Sequence, residues 1–240
     1  MNFNLDDLIK FYNSELGLNC VNIIQEKLDF LLKGNEDQEI LGLGYILPYL
    51  INNRIKSRLS FLSVPSANNK IKFIKNIYNA SIEIDEKAFP FKDLQFDKIF
   101  VSHWLEVSDR LDLVMSEIWR VLKGQGKIIL IIPNAFSFWA LRENTPFGKC
   151  RSFSQTQMKK LLHLHGFEEI KLNFCLYFPP IHQKFLLTNY KTLEYIGGTI
   201  FKNFGGVMIV EATKFNYAIP KNKLKTYRYK LPKVSIQQQI

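Results

Sequence analysis

Cysteine is scarce in this chain, and what there is stands apart: Cys20, Cys150 and Cys175, an odd number with no C-x-x-C pair. That spacing excludes a disulfide framework and fits reduced thiols in a cytoplasmic setting. The four histidines, His103, His163, His165 and His182, include no pair three or four residues apart, so one helical face cannot present two metal ligands and no metal is implied. No apolar run approaches the ~20 residues that a membrane-spanning helix needs. Residues 1–7 carry two aspartates and no basic residue, unlike the start of a secretory signal. Glycine is thin where strand meets helix near position 44, which reads L-G-L-G-Y-I-L-P over residues 41–48. Acid is missing from the end of the chain: the charged residues from Lys214 to Lys233 are all basic.

What is present describes an ordinary globular protein. The 240 residues are 47% hydrophobic and 22% charged, which suits one α/β domain with additions. The net charge of +10 is carried mostly by that basic end. Its tyrosines alternate with cations, as in segments that contact single-stranded nucleic acid, and a solvated terminal extension would read the same way. The expected organisation is a helical segment over 1–36, an α/β domain over 37–213 and a basic tail over 214–240.

Hydrophobic periodicity predicts one amphipathic helix over 4–32 and a short strand over 39–43 that runs into a glycine-containing turn. Pro48 is tolerated in the first turn of the helix that follows. Strands are expected over 58–64, 96–102, 127–132, 169–178 and 206–213, with a further element over 71–78. Ser108 is positioned to cap a helix whose Leu111, Val114, Ile118 and Val121 share a face, and Gly124 and Gly126 to stop it. Ser154 with Gln157 forms a capping box for a helix over 155–165. Strands alternating with helices specify a Rossmann-like doubly wound, mostly parallel sheet, and such sheets bind ligands beyond the carboxyl ends of their strands. The site is therefore expected near 42–45, near Asp85 and near Ser102 and His103.

One order of motifs is more specific. Asp85-x-x-x-Phe89-Pro90-Phe91, Phe96-Asp97-x-Ile99, Leu105-Glu106, Arg120-Val121-Leu122-Lys123, Gly126 and Pro133-Asn134 follow one another in register. This order resembles the class I S-adenosylmethionine (SAM) methyltransferases that include the ubiquinone and menaquinone methylating enzymes. Thr145-Pro146-Phe147-Gly148, Phe153 to Gln157 and Val210 to Lys214 are similar to a narrower bacterial branch of undefined substrate. The resemblance implies SAM as cofactor, with Gly42, Gly44, Tyr45, Asp85, Glu86 and Ser102 facing it. Asp85 would accept a hydrogen bond from the adenine amino group. His103 would act at the methyl-transfer face, and Tyr12 would stand near the acceptor. Aromatics over 136–139 and 174–178 would wall the acceptor pocket.

The chain departs from the family in its first motif. Gly42 stands where a carboxylate is usual, Ile46 and Pro48 replace two turn glycines, and residues 62–66 offer no acid to hold a ribose. Three functions follow as expectations. The first is methyl transfer from SAM to an unidentified acceptor, most simply a small molecule. A catalytically inactive scaffold or regulatory module of the same fold is the second. The third is RNA methylation with the basic tail as anchor.

Overall fold

The computed structural model describes residues 5–32, 38–50, 58–65, 81–84, 86 and 88–215. The expected amino-terminal helix is two helices, α1 (Leu5–Tyr12) and α2 (Glu15–Leu32). The break is made by Ser14, whose Oγ donates to the Phe11 carbonyl at 2.6 Å and accepts from the Gly17 N–H at 3.1 Å. Gly17 is required at this corner, since a Cβ there would stand 2.0 Å from the Phe11 carbonyl oxygen.

Strand β1 (Glu39–Gly44) leads into the single-turn α3 (Leu47–Leu50), and Pro48 lies in that turn as expected. Next come β2 (Arg58–Pro65), β3 (Ser81–Ile84), β4 (Phe96–Ser102), α4 (Leu111–Val121) and β5 (Leu122–Pro133). A single 3-10 turn, Phe138–Leu141, and α5 (Pro146–Lys149) precede α6 (Gln155–Leu164). The chain then forms β6 (Phe167–Cys175), α7 (Lys184–Thr188), α8 (Tyr190–Ile200) and β7 (Val207–Lys214). The element expected over 71–78 and the tail beyond 215 lie outside the described residues.

The seven strands form one sheet in the order β3-β2-β1-β4-β5-β7-β6. The first five are mutually parallel, and β7 pairs antiparallel with both β5 and β6. This is the mostly parallel, helix-covered sheet that the alternation of elements predicts. Central strands buried on both faces explain the nearly continuous apolar sequence of residues 128–132. One core lies between the sheet and α1, α2, α7 and α8, built on Leu16, Ile24, Leu28, Phe100 and Ile129. The other lies under α4 and α6, around Val114, Ile118, Met158 and Phe167.

Two local readings change. Ser108 does not cap α4; its Oγ accepts from the Arg110 N–H at 3.1 Å, forming a turn one step before the helix. Gly124 and Gly126 do not stop α4 either. The helix ends at Val121 and Leu122 is already extended, so the glycines belong to an irregular start of β5. The capping box at α6 forms as expected, with Ser154 and Gln157 each bonded to the other's backbone N–H.

Candidate functional site

The parallel strands β1 and β4 lie side by side, Gly44 opposite Ser102, and both end at the same edge of the sheet. Gly44 takes φ +78°, and a Cβ there would meet the Ser102 carbonyl oxygen at 2.0 Å. The position is closed to any side chain, both by conformation and by space. The Tyr45 N–H donates to that same carbonyl at 2.9 Å, and the Ile46 N–H donates to the Gly44 carbonyl at 3.1 Å. Gly42 is two residues upstream, buried between Leu62 of β2 and Phe100 of β4. Ile46, at a position of the missing glycines, turns its side chain wholly into the core beneath the sheet.

Beyond β4 the chain makes a second tight corner. His103 holds φ +53°, uncommon for a residue with a side chain, and is buried. Its Nε2 lies 2.7 Å from the Tyr12 hydroxyl, which is also 2.6 Å from the Tyr49 hydroxyl. Burial drives the imidazole down to about 3, so it is neutral across the physiological range, and burial also pushes both phenols well above their usual value. The Nδ1 of His103 faces Glu106 Oε1 at 3.9 Å. Glu106 is buried, and burial raises its carboxyl to about 8 against the pull of nearby backbone N–H groups. Those N–H groups close no hydrogen bond of normal geometry with either carboxyl oxygen. The Ser102 Oγ is likewise buried, with the Tyr49 hydroxyl as its polar neighbour.

Aromatic rings wall this corner. Tyr45 leans on Tyr12 at 5.5 Å between centroids, and Phe147 lies 5.5 Å from the His103 ring. Trp139 packs edge-on against Phe147 and Phe178, while its Nε1 donates to the Phe178 carbonyl at 2.9 Å.

The residues expected from sequence therefore divide. Gly44, Tyr45, Ser102, His103 and Tyr12 come together at the carboxyl ends of β1 and β4. Gly42 lies within the strand behind them. Glu86 lies half-exposed in a turn after β3, and Asp85 lies outside the described residues. Of the expected pocket aromatics, Trp139 and Phe178 are buried, whereas Phe136 and Phe138 are 64% and 76% exposed. Sequence reasoning missed Tyr49 and the burial of Glu106. The one available signal for the latter was a carboxylate flanked by Trp104, Leu105 and Val107.

Several motif residues do structural work. Arg120 donates to the carbonyls of Phe89 and Phe91 and pairs with Glu117 and Asp93, fixing the segment that follows β3. Asn134 donates to the carbonyls of Asn203 and Gly205 and ties the β5 exit to the β7 entry. Among the described residues no cluster of histidine, cysteine or carboxylate could hold a metal, and no helix is long and apolar enough to cross a membrane.

Comparison with known proteins agrees with this geometry. Residues 43–130 match the family described as a methyltransferase domain. The match is to the general domain and does not single out the ubiquinone and menaquinone branch. An uncharacterized protein of Methanocaldococcus jannaschii is 30% identical over 133 residues, which cover 52% of this chain and 57% of that protein. The match thus spans little more than half the length of that curated relative. A SAM-dependent methyltransferase of Thermotoga maritima superposes with a TM-score of 0.65 at 16% identity, covering 88% of this chain and 95% of its own. One from Archaeoglobus fulgidus gives 0.60 at 17% identity, with 88% and 100% covered. At such identities the likeness carries the fold alone: the chain has the class I SAM-dependent methyltransferase fold, and its residues 43–130 match the methyltransferase-domain family.

Proposed function

We propose that this protein is a SAM-dependent methyltransferase acting on a small-molecule acceptor, with its site at the carboxyl ends of β1 and β4. The observation that carries the reading is the Gly44 to Ser102 corner, where strand, tight turn and helix retain the cofactor-side geometry despite the lost glycines. Ile46 does not obstruct the turn, because its side chain belongs to the core. Ser102 and Glu106 add buried polar groups to this corner, and the Glu106 carboxyl closes no hydrogen bond of normal geometry there. Gly44, Tyr45 and Ser102 would face the cofactor, with Glu86 and, by resemblance, Asp85 toward its nucleoside end.

When bound, SAM supplies a methyl group already activated on a sulfonium. The chain then has to bind, orient and exclude water, which is where proximity yields its rate. The Tyr12 hydroxyl, 2.7 Å from Nε2, holds the neutral His103 ring in place, so the ring would help orient the acceptor at the strand end rather than carry its proton. Phe147 and Trp139 keep the corner dry. The free thiols, two of them buried, fit a cytoplasmic enzyme.

The test is calorimetric titration with SAM. Binding with Kd below about 100 μM is expected, and no heat at about 1 mM ligand overturns the reading. A second reading, an inactive scaffold, draws on a specific observation: the N–H groups of Tyr45 and Ile46 already bond to the protein's own carbonyls. Protein that purifies with SAM or its demethylated product bound excludes the scaffold.

A further inference from the structure

The largest feature that methyl transfer leaves unexplained is an exposed aromatic surface at the same end of the sheet. Nine of the thirteen large hydrophobic side chains exposed among the described residues fall in two segments, 136–141 and 185–204. Phe138, Leu141, Phe185 and Tyr195 are each 75–77% exposed. The two segments are neighbours. Asn134 bonds to the carbonyls of Asn203 and Gly205, and a Cβ on Gly206 would lie 2.4 Å from the Trp139 ring.

The surface is built, not frayed. In α8 the inner face, with Tyr190, Leu193, Glu194 and Gly197, is held against the domain, while Tyr195, Ile196 and Ile200 point outward. Glu194 accepts from the N–H groups of Leu176 and Tyr177, so the one carboxylate of residues 176–206 is turned inward. The charges left at the surface of these segments are Arg142, Lys184, Lys191 and Lys202, with Lys191 paired to Glu26 and Glu143 following at the edge.

We infer that this face docks on an anionic lipid surface, inserting its aromatic side chains among the headgroups while the lysines meet lipid charge. Aromatic and aliphatic side chains that stand three-quarters in solvent and are interleaved with cations of one sign form the pattern of interfacial binding. A second copy of this chain is a poor occupant. A two-fold interface would set the same cations against themselves in a protein already at +10. The six basic residues after Phe215 add to the attraction in the same direction. Docking here would hold the site of β1 and β4 at the lipid boundary, since α8 abuts the site's wall through Tyr190 and Phe178 at 5.9 Å.

The test is flotation of the full chain with vesicles of phosphatidylcholine alone and with about one third phosphatidylglycerol. It needs no cofactor, so its outcome is independent of the methyl-transfer reading. Binding to the anionic vesicles is expected, weaker by about tenfold or more in Phe138→Ser/Tyr195→Ser/Phe201→Ser and several-fold weaker in Lys184→Glu/Lys202→Glu. Rising salt should weaken it as well. Phe185→Ser alone, at a side chain 75% exposed, gives the same direction should the triple variant fail to fold. Three results overturn the proposal: no binding to anionic vesicles; equal binding to both vesicle types; or binding that survives the serine changes and vanishes when the six basic residues after Phe215 become glutamine. Self-association of the wild type that the serine changes abolish, without vesicle binding, assigns the face to a second copy and overturns it too.

Discussion

The Tyr12 hydroxyl lies 2.7 Å from Nε2 of His103, joining the end of the first helix to the end of β4 across 91 residues of sequence. One hydroxyl thus joins α1 to the corner after β4 and fixes the ring proposed to face the acceptor. Tyr12→Phe removes a hydroxyl shared by two buried partners, His103 Nε2 and the Tyr49 hydroxyl. Stability should fall by about 1 to 3 kcal/mol, read as a lower Tm. SAM affinity should hold while kcat falls by roughly a hundredfold, which separates the acceptor side from the cofactor side. Equal loss of SAM binding would contradict that division.

The buried pair of His103 and Glu106 makes stability depend on pH from both directions. His103 is held at about 3 against 6.5 when unfolded, so the unfolded chain binds the extra proton and stability is lost as pH falls below 6.5. Glu106 is raised to about 8 from 4.5, so the folded chain binds the extra proton and stability is lost as pH rises from 4.5 toward 8. Between 4.5 and 6.5 the two slopes oppose each other. The result should be a plateau there, with a decline on each side of at most about 1.4 kcal/mol per pH unit. Thermal melts of Glu106→Gln should lose the decline from 6.5 to 8 and keep the acid one.

Lys214, at the head of the basic stretch in the sequence, belongs to the sheet. Its buried ammonium donates to the carbonyls of Trp119 and Leu122, both at 2.7 Å, and lies 3.8 Å from the centre of the Trp119 ring. It ties the last strand to the corner where α4 becomes β5. Lys214→Met leaves two carbonyls without their donor and should cost about 2 to 4 kcal/mol in chemical denaturation. Lys191→Met, at an exposed ion pair, should cost under about 1 kcal/mol.

The sheet was legible in the sequence because its central strands bury both faces, and a continuous apolar run such as 128–132 survives any local detail. The helices between β6 and β7 were not. No helix was expected over 184–200, yet α8 forms there with Gly197 set against Tyr177, where a Cβ would stand 2.4 Å from Tyr177 Cβ. That contact joins residues twenty apart by tertiary packing, which no local propensity encodes. At the site, His103 and Ser102 followed from the rule that ligands bind beyond strand ends. The burial of Glu106, and the raised carboxyl that comes with it, could not follow, since it depends on tertiary packing that sequence leaves open. The missing glycines were legible as a departure; what they left behind was not.

That departure can be tested directly. Reintroducing the family's residue by Ile46→Gly is the natural attempt to restore an ordinary cofactor turn. The Ile46 side chain is wholly buried in the core beside Tyr49 and Leu28, and so the change opens a cavity and loosens the backbone together. A loss of about 3 to 5 kcal/mol is expected, with no gain in SAM affinity, because the N–H groups of the turn stay bonded to the Gly44 and Ser102 carbonyls. Gly44→Ala attacks the one glycine retained at the strand's end, where φ is +78° and the Ser102 carbonyl stands 2.0 Å from the new Cβ. It should cost about 2 to 5 kcal/mol and displace the Ser102 corner with it. Denaturation midpoints and SAM titrations on both variants decide the matter. If Ile46→Gly tightened SAM binding, the isoleucine would be an obstruction in the turn rather than part of the core.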